Sequence, residues 1–390
     1  MNFQKIKEQD QKNILNTYHR FDVCIESGRG ATCKDVNGKT YIDFTSGIGV
    51  NSLGFAHPEW VKAVTGQAAK LAHISNLYYT IPDNELAKAL CEQTGYGAVF
   101  FGNSGAEANE GAIKVARKYS FDKYGAGRSQ IVTLVNSFHG RTVTTLAATG
   151  QDVFHQYFGP FTEGFRYAEA NSMESVAAAC GKDTCAVMLE FIQGEGGVVP
   201  LDEQFVRQLF AFCQERDVLV IPDEVQTGVG RTGKFLAAEH YGVRPDITTL
   251  AKGLGGGLPI GAVLVEERLK SVMGYSSHGS TFGGNPVACA GANVVLRTVC
   301  NEKFLREVAA KGEKLRACIS MCGDVAGITG KGMMLGIQLK KKTAADVANA
   351  CLEKGLLVLT AKDRVRLLPP LTITDDELKK GLQILWDVLA

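Results

Sequence analysis

The sequence predicts an α/β protein: a mostly parallel sheet with crossover helices, and a smaller α+β unit built from the chain ends. Three observations predict this. Short apolar runs alternate with helical stretches between Ala98 and Val265, as strands covered on both faces do. Several of these runs end in charged residues, which puts a site at the carboxyl ends of the strands. After about Cys300 the pattern shifts to helix, strand, helix, strands and a last amphipathic helix from Thr374.

The 390 residues are enough for a large core and two domains. Lys and Arg total 42 against 41 Asp and Glu, so no excess field attracts a nucleic acid or a membrane surface. The first twenty residues are polar, and no apolar run reaches the roughly 18 residues of a spanning helix. A soluble cytoplasmic protein is expected. The 11 cysteines are scattered without a CxxC pair, which fits free thiols in a reducing compartment. The seven histidines are equally dispersed, so no metal site is expected.

In chain order, Met1–His19 is polar. Arg29 to Asp43 reads as two short strands around the turn Asp35-Val36-Asn37-Gly38. A Gly-rich loop, TSGIGVNSLGFAHP, then runs to Pro58, the first-turn residue of a helix reaching about Leu71. Ala98–Phe101 is a strand that leads into Ser104, Gly105, Ala106 and a helical run through Tyr119. Strand, small residues, helix start: this order presents free N–H groups and a positive helix end to an anion. An ordinary capped helix has the same local sequence.

Gln130–Val135 is the next strand, ahead of NSFHGRT. Phe138 there can stack on a flat ring or fill the core, and Arg141 can grip a carboxylate or form a surface ion pair. Cys185–Phe191 is a buried strand with Glu190 near its end, and Glu195 follows in a loop. Asp202 is placed to cap an amphipathic helix through Cys213. Val218–Ile221 ends in Asp223 and Glu224; Ile247–Leu250 ends near Lys252; Gly261–Val265 closes the stretch.

A carboxylate and a lysine at neighbouring strand ends form either a buried ion pair or a cofactor pair. Pyridoxal phosphate chemistry needs both, the amine for the cofactor's aldehyde and the carboxylate to keep the pyridine nitrogen protonated. Gly228 to Phe235 nearly spells a nucleotide-binding loop, but Phe235 stands where a magnesium-binding hydroxyl is required. A nucleotide site is therefore not expected.

DEVQTGVGRTG from Asp223, with Lys252 following 29 residues later inside LAKGLGGGLPIGA, resembles the class III pyridoxal-phosphate aminotransferases. NSGAEAN and FHGRT recur in the order of that family, and the similarity runs from about Tyr18 to Leu371. The resemblance implies the fold-type I architecture, with a seven-stranded, mainly parallel sheet. It implies a large domain over 56–285 and a small domain from 1–55 and 286–390.

By the same resemblance, Lys252 and Asp223 are the catalytic pair. Ser104, Gly105, Ala106 and Thr281 hold the cofactor phosphate, Thr281 across a homodimer interface. Phe138 and Val225 lie against the ring, Gln226 at its hydroxyl, with Glu224 beside them. Arg141 takes a substrate carboxylate, and Arg366, paired in turn with Glu195, takes the second carboxylate of an acceptor. Tyr18, Ile48 and Ser280 complete the substrate side, Ile48 standing where ornithine-specific relatives carry tyrosine. The implied reaction moves the terminal amine of N2-acetylornithine to 2-oxoglutarate, in arginine synthesis. Succinylated, diaminopimelate-type or 4-aminobutyrate donors remain open, as does a racemase, mutase or decarboxylase sharing the cofactor, or a non-catalytic binding protein.

Overall fold

The structure, a computed structural model, describes residues 2–390. Its centre is a sheet in the spatial order Ala98–Gly102, Gly261–Val265, Ile247–Leu250, Leu219–Pro222, Thr184–Leu189, Gln130–Leu134, Phe165–Ala168. A parallel bridge from Asp223 to Thr249 joins its two hydrogen-bonded parts. Gly261–Val265 runs against both of its neighbours; the rest are parallel. The apolar runs explain the placement. Thr184–Leu189, Leu219–Pro222, Ile247–Leu250 and Gly261–Val265 are buried at every residue, as parallel strands with both faces covered must be.

Helices cover those faces. Gly105–Tyr124 buries Ala108, Ala112, Ile113, Val115 and Ala116 against the strands Ile247–Leu250 and Gly261–Val265. Glu203–Glu215 buries Phe205, Val206, Leu209 and Cys213. Asp202 stands at its N-cap position without a side-chain capping bond. The strand Phe165–Ala168 and the helices Ile81–Thr94 and Met173–Ala179 were not resolved by the sequence reading. Their runs are short or weakly patterned.

The chain ends build the smaller unit together. Leu356–Leu357 pairs parallel with Thr40–Asp43 and so joins the N-terminal strands Ile25–Arg29, Thr32–Asp35 and Thr40–Asp43 into one sheet. Glu377 ties the last helix to that sheet, accepting from Ala31 N at 2.9 Å and Thr32 Oγ1 at 3.1 Å. A second, antiparallel sheet holds Val325–Lys331, Met334–Leu339, Arg364–Leu367 and Leu359–Ala361. The helix Pro286–Val299 packs on Pro58–Lys70 and Ile81–Thr94. The expected boundary at 286 falls at the first residue of this helix.

The Gly228–Phe235 stretch serves this architecture. Phe235 is buried. Arg231 donates to the carbonyls of Met333 and Pro369, binding the turn after Asp223 to the small unit.

Candidate active site

A cavity of about 450 Å³ opens where the carboxyl ends of the central strands meet the start of the helix Gly105–Tyr124. Among its lining residues are Ser104, Gly105, Ala106, Phe138, Arg141, Asp223, Val225, Gln226 and Lys252.

Lys252 sits on a tight turn after Ile247–Leu250, with a positive φ of 42°. That backbone region is costly for a side-chain-bearing residue, about 1–3 kcal/mol, and concentrates at functional sites. Burial pushes the Lys252 ammonium down from its ordinary range. Glu195, Asp223 and Glu190 oppose this, while Arg366 pushes the same way. A buried lysine biased toward its neutral form is a nucleophile and a proton carrier.

Asp223 is nearly buried and already held. Its Oδ2 accepts from Asn109 Nδ2 at 2.7 Å and lies 3.0 Å from His139 Nδ1; its Oδ1 accepts from Val225 N at 3.0 Å. Asn109 is oriented in turn, its carbonyl oxygen accepting from Thr249 Oγ1 at 2.8 Å. Bonds of this kind hold the carboxylate in a fixed direction. Burial pushes the nearby Glu190 carboxyl up to about 7; the charge of His139 pulls it back and that of Asp223 pushes it further.

The anion cradle is also present. Ser104 caps the helix, its hydroxyl accepting from Glu107 N at 3.1 Å and donating to Glu107 Oε2 at 2.9 Å. This leaves the first-turn N–H groups of Gly105 and Ala106 to face the cavity, with the positive helix end behind them. A side chain at residue 105 would crowd the cradle, since its Cβ would lie 2.8 Å from Val225 Cγ1. A flat, anionic cofactor with an aldehyde and a basic ring nitrogen fits these groups: a helix start for its phosphate, Phe138 and Val225 for its faces, Asp223 for its nitrogen, Lys252 for its aldehyde.

The family model for class-III aminotransferases matches residues 14–389. The chain belongs to the class-III aminotransferases. Pyridoxal phosphate is their cofactor and this chain's. An acetylornithine aminotransferase of Haemophilus ducreyi is 51% identical over 392 aligned residues, covering 100% of each chain. Among solved structures, an ornithine aminotransferase of Toxoplasma gondii matches with a TM-score of 0.95 and 31% identity, over 100% of this chain and 94% of that one. An N-acetylornithine aminotransferase of Stenotrophomonas maltophilia matches with a TM-score of 0.83 and 36% identity, over 98% and 97%.

Within this class-III aminotransferase the remaining expected site residues divide. Arg366 is buried and pairs with Glu195 through Nη1 and Oε1 at 2.5 Å. The same Nη1 reaches Gln226 Oε1 at 3.4 Å, and Nε has no partner among the described residues. Glu224 turns away from the cavity. Its carboxylate is buried, accepting from Ala237 N, Ala238 N and Thr227 Oγ1, so its side chain braces the turn and does not face the cofactor space. Tyr18 is exposed, with the Arg20 guanidinium 5.7 Å from its ring. Ile48 is half-exposed in a left-handed turn, and Val50 of the same loop lines the cavity.

Ser280 Oγ accepts from Asn103 Nδ2 at 3.1 Å and Gly283 N at 3.0 Å, and Thr281 is exposed beside it; neither lines this chain's own cavity. The residues the sequence reading missed are Asn109, His139 and Thr249. The Asn of NSGAEAN and the His of FHGRT lay inside motifs already singled out, and that was the available signal.

Proposed function

We propose that this aminotransferase takes the terminal amine of N2-acetyl-L-ornithine and delivers it to 2-oxoglutarate, giving N-acetylglutamate 5-semialdehyde and glutamate, a step of arginine synthesis. The observation that carries the reading is the 2.5 Å ion pair between buried Arg366 and partly exposed Glu195, whose charges both act on Lys252, while Arg141 lines the cavity that Lys252 also lines. Two arginines allow two carboxylates to be held, as 2-oxoglutarate requires. The donor has one carboxylate and a cationic amine. With Glu195 covering Arg366, the donor meets a neutralised wall there and places its carboxylate on Arg141. The names of the similar aminotransferases support the same donor.

When bound, pyridoxal phosphate supplies an aldehyde for the amine and an electron-accepting ring. The chain supplies the rest. Asp223, fixed by Asn109, His139 and Val225 N, holds a proton at the ring nitrogen. Gly105 and Ala106 orient the phosphate. Lys252 Nζ moves the proton at the substrate's amine-bearing carbon. Phe138 and Val225 keep water from the ring faces.

The same reading includes a homodimer. Tyr79 and Tyr275 are almost fully exposed, and Leu77, Tyr78 and Phe282 stand out with them. An apolar surface of this kind calls for a partner, and Thr281, beside Phe282, is assigned to the partner's phosphate. Ile48 adds selectivity, because it offers no hydrogen bond to a free α-amine. A desolvated, unpartnered ammonium costs about 1–3 kcal/mol, which favours the acetylated donor over ornithine.

The test is Arg366→Ala in single-turnover half-reactions followed by the absorbance of the bound cofactor. The 2-oxoglutarate half is expected to slow far more than the donor half. Equal slowing of both halves contradicts the division of labour between the arginines.

A further inference from the structure

We infer that Phe154 is a positioning residue for substrate selection, holding Arg141 by its ring face so that the guanidinium edge stays free for the donor's carboxylate. The inference rests on the reading of Arg141 given above and deepens it. The contacts of Arg141 among the described residues are with rings and not with a carboxylate: its guanidinium carbon lies 3.9 Å from the centroid of Phe154 and 5.4 Å from that of Phe138. The two rings meet edge to face, 5.8 Å apart at 78°.

The choice of support matters chemically. A protein carboxylate on Arg141 would occupy the same N–H fork that a substrate carboxylate needs and would have to be displaced. An aromatic face attracts the cation through its quadrupole and leaves every N–H donor unused. Freezing the long arginine side chain beforehand also lowers the ordering cost of binding.

Phe154 is itself firmly placed. It ends the short helix Asp152–Phe154, whose N–H donates to Gln151 O at 3.0 Å. Gln151 Nε2 donates to Ser137 O at 3.0 Å, and Gly150 N to Ser137 Oγ at 3.1 Å. On the other side His155 Nε2 lies 2.9 Å from Leu146 O. Ser137 directly precedes Phe138, so both rings that hold Arg141 hang from one hydrogen-bonded frame.

The experiment compares Phe154→Leu, Phe154→Tyr and Arg141→Ala holoenzymes with the parent. The donors are N2-acetylornithine and N-acetylputrescine, which is the same amine without the carboxylate. Calorimetry with N-acetylnorvaline, which has the carboxylate and no transferable amine, reads binding apart from turnover. Phe154→Leu should raise KM for N2-acetylornithine and Kd for N-acetylnorvaline roughly threefold to thirtyfold. It should leave kcat within about twofold and N-acetylputrescine unaffected, and Phe154→Tyr should restore the parent values.

Arg141→Ala should show the same carboxylate-selective loss, only larger. If Arg141→Ala is selective and Phe154→Leu changes neither KM nor Kd, the role of Phe154 is overturned and that of Arg141 stands. If Phe154→Leu weakens both donors equally, the ring is only packing and the inference is overturned. If Arg141→Ala itself shows no carboxylate selectivity, the reading beneath it falls, and the inference with it.

Discussion

Asp223 carries three hydrogen bonds from the chain before any ligand is considered, and this decides what its replacement should do. Asp223→Asn should fold normally, yet its amide cannot hold a proton at the ring nitrogen and would point an N–H at one of the donors already present. Turnover should fall about 100-fold or more, ~2.7 kcal/mol in the barrier. A steady-state rate within about tenfold of the parent would contradict the role. Glu190 gives a pH prediction. Burial raises its carboxyl from the ordinary 4.5 to about 7, so across that window the folded chain binds more protons than the unfolded one. Its contribution to stability is therefore present at acidic pH and lost as pH rises through about 7. Glu190→Gln should gain on the parent in cofactor-free melting experiments as pH goes from about 5 to about 8, by at most about 3 kcal/mol. A pH-independent difference would contradict it. Lys252 and Asp223 were legible in the sequence because each closes an apolar strand. Asn109 and His139 were not, because they reach Asp223 across 114 and 84 residues of chain, and periodicity says nothing of contacts at that range.

At the scale of elements, the phosphate cradle depends on how closely the helix start approaches its neighbours. The position of Gly261 allows no Cβ, because the carbonyl of Ser104 occupies that space; at Gly105 a Cβ would meet Val225. Gly105→Ala should lower pyridoxal phosphate affinity about tenfold or more, ~1.4 kcal/mol, with little change in the far-ultraviolet circular dichroism. Unchanged affinity in a fluorescence titration would show that the helix start does not hold the phosphate. The buried strands Ile247–Leu250 and Gly261–Val265 lie where their apolar runs placed them. Phe165–Ala168 is different. It forms a sheet edge with three of its four residues only partly buried or exposed, so it lacks the continuous apolar run that marks the inner strands. The direction of the Glu224 side chain is likewise not legible from an apolar run. Adjacent residues at a strand end face opposite ways, and Glu224 is turned into the buried bonds of Ala237 and Ala238.

At the scale of the whole molecule, the proposed dimer places Thr281 in its partner's site. Mixing Thr281→Ala with Lys252→Ala chains should then restore activity at limiting cofactor, because one site of each hybrid collects both lesions and the other has none. No recovery after subunit exchange, checked by mass-tagged hybrids, would remove the cross-subunit assignment. The broad architecture was readable from strand and helix alternation, while the helix Pro286–Val299 shows where such reading ends. Its many small residues do not tell the side on which it packs; its partners, Pro58–Lys70 and Ile81–Thr94, lie more than 190 residues earlier in the chain. The account's central claim is that one site, with Lys252 and Arg141 lining its cavity and Arg366 bonded to the cavity residue Gln226, takes its amine from an acetylated, singly carboxylated donor. The most direct measurement is the single-turnover rate of the holoenzyme with N2-acetylornithine, ornithine and 4-aminobutyrate, each read by cofactor absorbance and closed with 2-oxoglutarate. The account predicts that N2-acetylornithine reacts at least about tenfold faster than either alternative at equal concentration, a difference of ~1.4 kcal/mol, and that 2-oxoglutarate returns the absorbance fully. Equal rates with free ornithine or 4-aminobutyrate, or no return with 2-oxoglutarate, would contradict it.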